Sequence, residues 1–324
     1  MDARAVFQDS AVGPGMYESF YLRAVSPDQP VGVWIRHTVH KAPGRPPRGS
    51  VWCTVFDASL GAPFMHKVTR ETLSVPAGQW IAVGSDASMG PRAATGECGP
   101  ASWELTYEAL DDELRHLRPG WLYRAPVPRT KLTSPAPAAS FNGSVRLPGR
   151  EPIELRGWRG MIGHNWGSEH AARWIWLHGI GFEADPGAWI DLAVGRIEFA
   201  GRLSPWIASG AVSVDGRRSH LGGLSARGVS VLEGPAGCTV ELPGRSRTAV
   251  AVRARVPEGA AAGWRYSDPD GGEHDVVNCS VAELELELRG AGPARTLTTS
   301  HGGAFELGMR ERDHGVPIAT FSDG

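Results

Sequence analysis

The sequence predicts an all-β protein of barrel or sandwich architecture, assembled from many short strands with few short helices. Three observations carry that expectation. Apolar and polar residues alternate with period two over much of the chain, the spacing that turns one face of a strand toward a core. The 42 glycines and 25 prolines are scattered evenly and cut the chain into short segments. Helical periodicity is scarce, so less than ~15% helix is expected against the usual 30–35%.

Taken in order, residues 31–40 alternate around Val33, Ile35, His37 and Val39, and residues 51–56 set Val51, Cys53 and Val55 against Trp52, Thr54 and Phe56. Residues 102–107 place Trp103, Leu105 and Tyr107 on one side. Each segment reads as a half-buried strand between turn-rich pieces. Leu110, Leu114 and Leu117 then stand at helical spacing, with Asp111 and Asp112 at the start and Pro119-Gly120 beyond the end, which predicts one short helix. Residues 126–137 are proline-rich, and a strand is expected to resume over 141–147. In the second half, residues 249–256 alternate, and residues 280–288 put Ala282, Leu284, Leu286 and Leu288 opposite Glu283, Glu285 and Glu287. The pattern is that of a β-meander.

The stretch from 160 to 191 is the most distinctive. It holds four of the 12 tryptophans (Trp166, Trp174, Trp176, Trp189) and three of the 11 histidines (His164, His170, His178). At period two, Trp174, Trp176 and His178 share one face of a strand, with Ile175 and Leu177 on the other. Asp185-Pro186-Gly187 predicts the turn that follows, and a second strand carries Trp189 and Asp191 on one face. One side of this hairpin suits packing. The other, with indoles, an imidazole and a carboxylate, fits either a cavity wall or an aromatic core in which His178 and Asp191 satisfy each other.

Outside this stretch, His37 and His40 sit three apart in a strand and point to opposite faces. His37 shares a face with Ile35 and Val39 and is a candidate to line a pocket or to sit hydrogen-bonded in a core. The spacing of His164, Glu169, His170 and His178 matches no metal signature such as HExxH, so no metal ligand is assigned. No GxGxxG, Walker or GxSxG motif occurs, which removes support for nucleotide-dependent and serine-hydrolase chemistry. No cofactor is expected. With 33 basic against 35 acidic residues and no block of like charge, nothing points to a nucleic acid or an anionic membrane. Cys53, Cys98, Cys238 and Cys279 are far apart and read as reduced. The first residues lack an apolar signal region, and no run of ~18 apolar residues occurs. A cytoplasmic, soluble protein is the expectation.

The run HNWG at 164–167, with EHA at 169–171 and WIWLHG at 174–179, resembles the signature of the superfamily that includes carotenoid 1,2-hydratase (hydroxyneurosporene synthase), tocopherol cyclase, the AttH-like proteins and some lipocalin-like Diels-Alderases. In the hydratases a His-x-Trp pair is followed by an aromatic-x-Asp on a later strand. Here His164-Asn165-Trp166 is followed by Trp189-Ile190-Asp191, with Trp in place of Tyr. YESFYLRA at 17–24 and VWIRHTVHK at 33–41 resemble the opening strands of these proteins. The resemblance implies two lipocalin-like β domains side by side, placed here at 1–170 and 171–324. One departure stands out: the hydratases carry an acidic residue immediately before the HNWG run, where this chain has Ile162-Gly163, leaving the proton donor open.

The resulting expectation is a hydratase or cyclase acting on a hydrophobic polyene, isoprenoid or polyketide-like substrate. Burial can raise a carboxyl pKa by up to about 3–5 units, so Asp191 on an indole-rich face is a candidate acid, and by resemblance His164 positions or recharges it. Indoles stabilise a developing carbocation, which casts Trp166, Trp174, Trp176 and Trp189, with His178 and His37, as substrate-binding residues. Cyclisation by shape alone and a lipocalin-like carrier without chemistry are the alternatives. The discriminating observation is the surroundings of Asp191.

Overall fold

The computed structural model describes residues 3–9, 15–199, 201–223, 228–243, 249–290 and 293–321. Among them there is no α-helix, only two short 3₁₀ turns, Ala58–Leu60 and Gly120–Tyr123. Almost all other regular structure belongs to two large antiparallel sheets of 12 and 10 strands. In the first, the opening strand Met16–Val25 pairs with the closing strand Ile153–Gly167. In the second, Arg173–Phe182 pairs with Arg295–Met309.

The strands at the two ends of each sheet are consecutive in the chain: Phe64–Arg70 with Leu73–Ser74, and Arg217–Gly222 with Ser230–Gly234. Each sheet therefore rolls round on itself as a meander with one seam, giving two lipocalin-like β units. No helix among the described residues is long and apolar enough to cross a membrane.

One apolar core lies within the first sheet, around Phe20, Ile35, Leu105 and Phe141. A second fills the other sheet and takes in Trp34, Trp52 and Phe56 from the first. The strand Met16–Val25 is buried on both faces for this reason. Glu18, Phe20, Leu22 and Ala24 point into the first core, while Tyr17, Ser19, Tyr21 and Arg23 point toward the second sheet. The Arg23 guanidinium is fully buried and donates to Ser280 O (2.8 Å), Gly302 O (2.9 Å) and His178 Nδ1 (2.9 Å) across that boundary. All four cysteines are buried, and none is in a disulfide.

Three sequence expectations are corrected. The helix over Leu110, Leu114 and Leu117 does not form. That segment is extended, with Leu114–Arg115 paired to Ser134 and Thr133, and Arg218 donates to Asp111 Oδ1, Asp112 O and Glu113 O. Two of those acceptors are backbone carbonyls, which the arginine satisfies in place of helical N–H groups. The turn expected at Asp185-Pro186-Gly187 falls earlier, because Asp185 already pairs with Phe182 and opens the strand Asp185–Arg196. The proline-rich stretch is not a bare connection. The strand Thr130–Arg146 runs through Pro135 and Pro137 by shifting register at two bulges, the usual way a strand tolerates proline.

Candidate active site

A cavity of about 540 Å³ lies between the two sheets, the size that holds a small organic ligand. Its walls come from Met16–Val25, the strand Val31–Lys41, the 117–132 connection, the linker at 169–172, Arg173–Phe182 and the strand Asp185–Arg196. Trp34, Trp174, Ile175, Trp176 and Val194 make it apolar, and a few polar groups converge on it: Tyr21, Arg36, His170, Tyr266 and Glu306.

Tyr21 stands edge-on to Trp176, with ring centroids 5.7 Å apart. Its ring lies across Gly163, where an added Cβ would come within 2.1 Å of the Tyr21 ring. That close approach gives a physical reason for glycine directly before His164. The Tyr21 hydroxyl has no hydrogen-bond partner among the described residues. Burial first, then the charges of Asp191 and Glu306, push its pKa well above the ordinary value, so the phenol stays protonated. Trp174 lies against Gly308, whose added Cβ would sit 2.1 Å from the indole.

The opposite polar group is Glu306, which accepts from Trp174 Nε1 (2.9 Å), Tyr266 Oη (3.1 Å) and Asn278 Nδ2 (3.2 Å). Arg36 lies 4.2 Å over the Tyr266 ring, and burial again drives the Tyr266 pKa well above its ordinary value. His170 is sandwiched between Tyr17 (4.0 Å) and Trp174 (5.4 Å).

Of the residues singled out by sequence, Trp174 and Trp176 line the cavity. His178 is on the same strand face but is sealed off: its Nδ1 accepts from Arg23, so its Nε2–H donates to Pro137 O at 2.9 Å. Burial, with Arg23, lowers its pKa to about 4. Trp189 is covered in the second core and donates to Asp111 Oδ2 at 2.9 Å.

Residues 162, 164 and 166 face the interior of the first sheet, whereas 161, 163 and 165 face the second. His164 therefore sits in the first unit, 2.7 Å from Glu18 Oε1 and stacked on Phe20 and Trp166. His37 is buried in the same unit near Trp103, and both its ring nitrogens lack a partner. Burial lowers its pKa to about 3. His164, Trp166, Trp189, His178 and His37 are thus not on the cavity wall.

Asp191 is the larger correction. It is fully buried behind Trp176, whose Nε1 donates to Oδ1 at 3.0 Å. Oδ2 accepts from Ser134 Oγ and lies 3.3 Å from His116 Nε2. His116 Nδ1 in turn donates to Ser209 O at 3.1 Å. Burial pushes the Asp191 pKa up, but the charge and hydrogen bond of His116, the charge of His178 and the Ser134 hydroxyl outweigh it and hold the group at about 2. A carboxylate ionised at neutral pH and saturated with donors has no proton to give to an alkene. His164 is engaged by Glu18 instead, so the expected acid pair is not assembled.

Tyr21, Arg36, His116, Ser134, Tyr266 and Glu306 escaped the sequence reading. Tyr21 had a usable signal, since Tyr17, Ser19, Tyr21 and Arg23 make a polar stripe on a strand whose other face is Phe20, Leu22 and Ala24. His116 had none, because it stands inside the leucine spacing that mimics a helix.

No protein-family model matches the chain. It is 27% identical over 300 residues to the uncharacterized proteins MT0513 and Rv0493c of two Mycobacterium tuberculosis strains, CDC 1551 and H37Rv, a match that covers 91% of this chain and 87% of each relative. Among solved structures, CghA superposes with a TM-score of 0.58 at 13% identity, over 91% of this chain and 88% of its own. Kievitone hydratase from Nectria haematococca gives 0.55 at 10% identity, over 90% and 88%. A candidate AttH, NE1406 from Nitrosomonas europaea, gives 0.54 at 13% identity, over 96% and 98%. The chain shares their fold.

Proposed function

We propose that this protein is an enzyme of hydratase or cyclase type that takes an apolar, oxygen-bearing small molecule into the cavity between the two β units. One observation carries the reading: a protonated Tyr21 hydroxyl without a partner, set in a cavity whose other walls are indole and aliphatic. A phenol with a strongly raised pKa is a hydrogen-bond donor, not a proton source. Aimed at a carbonyl or enol oxygen of the substrate, it stabilises charge that develops there. Trp174 and Trp176 stabilise positive charge on the carbon skeleton and fold a flexible chain so that its reacting ends meet. Glu306, held by three donors, is suited to a fixed negative charge on the wall. Asp191 acts through Trp176 as a positioning residue. The fold shared with kievitone hydratase supports addition of water as one outcome, with ring closure as the other.

The test is to extract the molecule that co-purifies with the protein, identify it by mass spectrometry, and incubate candidate precursors with the protein and with Tyr21→Phe. A product heavier by one water, or an isomer of unchanged mass, is expected from the parent. Tyr21→Phe should lower turnover by about 10²-fold with little loss of binding. Precursors bound but recovered unchanged would overturn catalysis and leave a carrier.

A further inference from the structure

Beside the cavity, three residues from distant parts of the chain converge on a point that the proposed chemistry does not use. His170 comes from the linker between the sheets, Asp268 from the turn after the strand Ala262–Ser267, and His274 from the strand Glu273–Arg289. His170 donates its backbone N–H to Asp268 Oδ1 at 2.8 Å, and its ring Nδ1 lies 2.6 Å from the same oxygen. His274 Nδ1 is 3.7 Å from Asp268 Oδ2. One donor atom from each residue lies within 4.8 Å of the others.

Asp268 and His274 are buried, at 1% and 0% exposure, and the ring nitrogens are left over. His274 Nδ1 and Nε2 and His170 Nε2 are all buried without a hydrogen-bond partner. A neutral imidazole carries one N–H and one lone pair, and a sealed site that gives neither a partner is uncommon in folded proteins. The nearby cations do not account for it. Arg310 is committed to Glu169 and Glu198, and Arg312 to Glu273 and Asp275.

We propose that His170, Asp268 and His274 form a binding site for a divalent first-row transition ion of the zinc type on the wall of the cavity. Two imidazoles and a carboxylate are the donors such an ion takes, and three protein ligands leave a further position for water or a substrate oxygen. Bonds of about 2.0–2.2 Å require the donor atoms to draw together by about 1 Å, within the reach of side-chain rotation. The ion would pin the linker to the second sheet and fix His170, which lines the cavity. The site stands on these residues alone and does not depend on the proposed hydratase or cyclase activity.

The experiment uses the whole protein, treated with a chelator and titrated with zinc alone by calorimetry and with cobalt(II) alone by visible absorption. One equivalent of zinc should bind, raise the thermal transition, and give a cobalt spectrum typical of mixed nitrogen and oxygen ligation. His274→Gln and Asp268→Asn should each weaken zinc binding by at least tenfold, while His301→Gln, eight positions along the neighbouring strand from Met309, the partner of Asp275, should leave it unchanged. Folding of each variant is checked by circular dichroism, and His170→Gln, at the less buried edge of the cluster, serves if a buried variant fails to fold. Absence of stoichiometric binding, or binding unchanged in the folded ligand variants, overturns the proposal.

Discussion

Two of the buried carboxylate–imidazole pairs, Glu18 with His164 and Asp191 with His116, differ in what else the carboxylate holds. Glu18 and His164 sit inside the first unit. The Glu18 carboxylate accepts the backbone N–H groups of Val6 and Phe7 as well as His164, so its task is to tie the N-terminal segment to the first sheet. Asp191 and His116 sit between the units. There the carboxylate accepts from Trp176, a side chain that forms the cavity wall. Both pairs are histidine with acid, both are buried, and both lie in the stretch of residues that suggested chemistry or are paired to it. What separates them is the identity of the remaining donors: backbone in one case, a cavity-facing indole in the other.

The largest effect is expected from Asp191→Ala, which leaves the Trp176 indole N–H unpartnered and removes the carboxylate that His116 and Ser134 face. We expect a loss of about 3–5 kcal/mol in urea denaturation, the range for removing one member of a buried charged pair, together with weaker binding of apolar ligands in the cavity. Retained affinity in a folded variant would show that Asp191 does not act through Trp176.

Acid titration probes the same boundary. His178 has a folded pKa lowered to about 4 from 6.5, so the unfolded chain takes up a proton that the folded one refuses. Its stabilising contribution is complete above about pH 6.5 and is lost as pH falls toward 4, by about 3 kcal/mol. Asp191, depressed from 3.8 to about 2, adds a further loss of about 2 kcal/mol below pH 4. Denaturant midpoints measured from pH 7 to 3 should fall steadily. A flat profile would remove the dry boundary from the account.

Glu18→Gln should cost about 1.5–3 kcal/mol, the value of a charged hydrogen bond, and should speed hydrogen exchange at the Val6 and Phe7 amides without changing cavity affinity. If ligand binding falls with it, the two pairs are not separate. The mildest probe is Trp176→Phe, which keeps an aromatic wall but removes the N–H that Asp191 accepts. About 1–2 kcal/mol of stability should be lost, and saturable quenching of tryptophan fluorescence by an apolar ligand should weaken by a few-fold.

Alternation at period two was enough to recognise an all-β chain and to place the strands at Ala101–Ala109 and Ala249–Arg255, because each buries one face on a core of its own unit and the pattern is local. The same alternation put Trp174 and Trp176 on a common face, and the cavity lies there. Where the chain is buried on both sides, local patterning no longer says which core a face meets. The strand Ile153–Gly167 turns His164 and Trp166 into the first unit and Gly163 toward Tyr21, an assignment made by the packing of one rolled sheet on another. Nor could spacing reveal that residues 110–117 run extended, since the deciding contact is Arg218, more than a hundred positions away in the chain. That contact places His116 beside Asp191 and changes the carboxyl from an expected acid into a fixed anion. The kinds of residue at the site were legible in the sequence; their protonation and direction were not, because both depend on partners that only the folded chain brings within hydrogen-bonding distance.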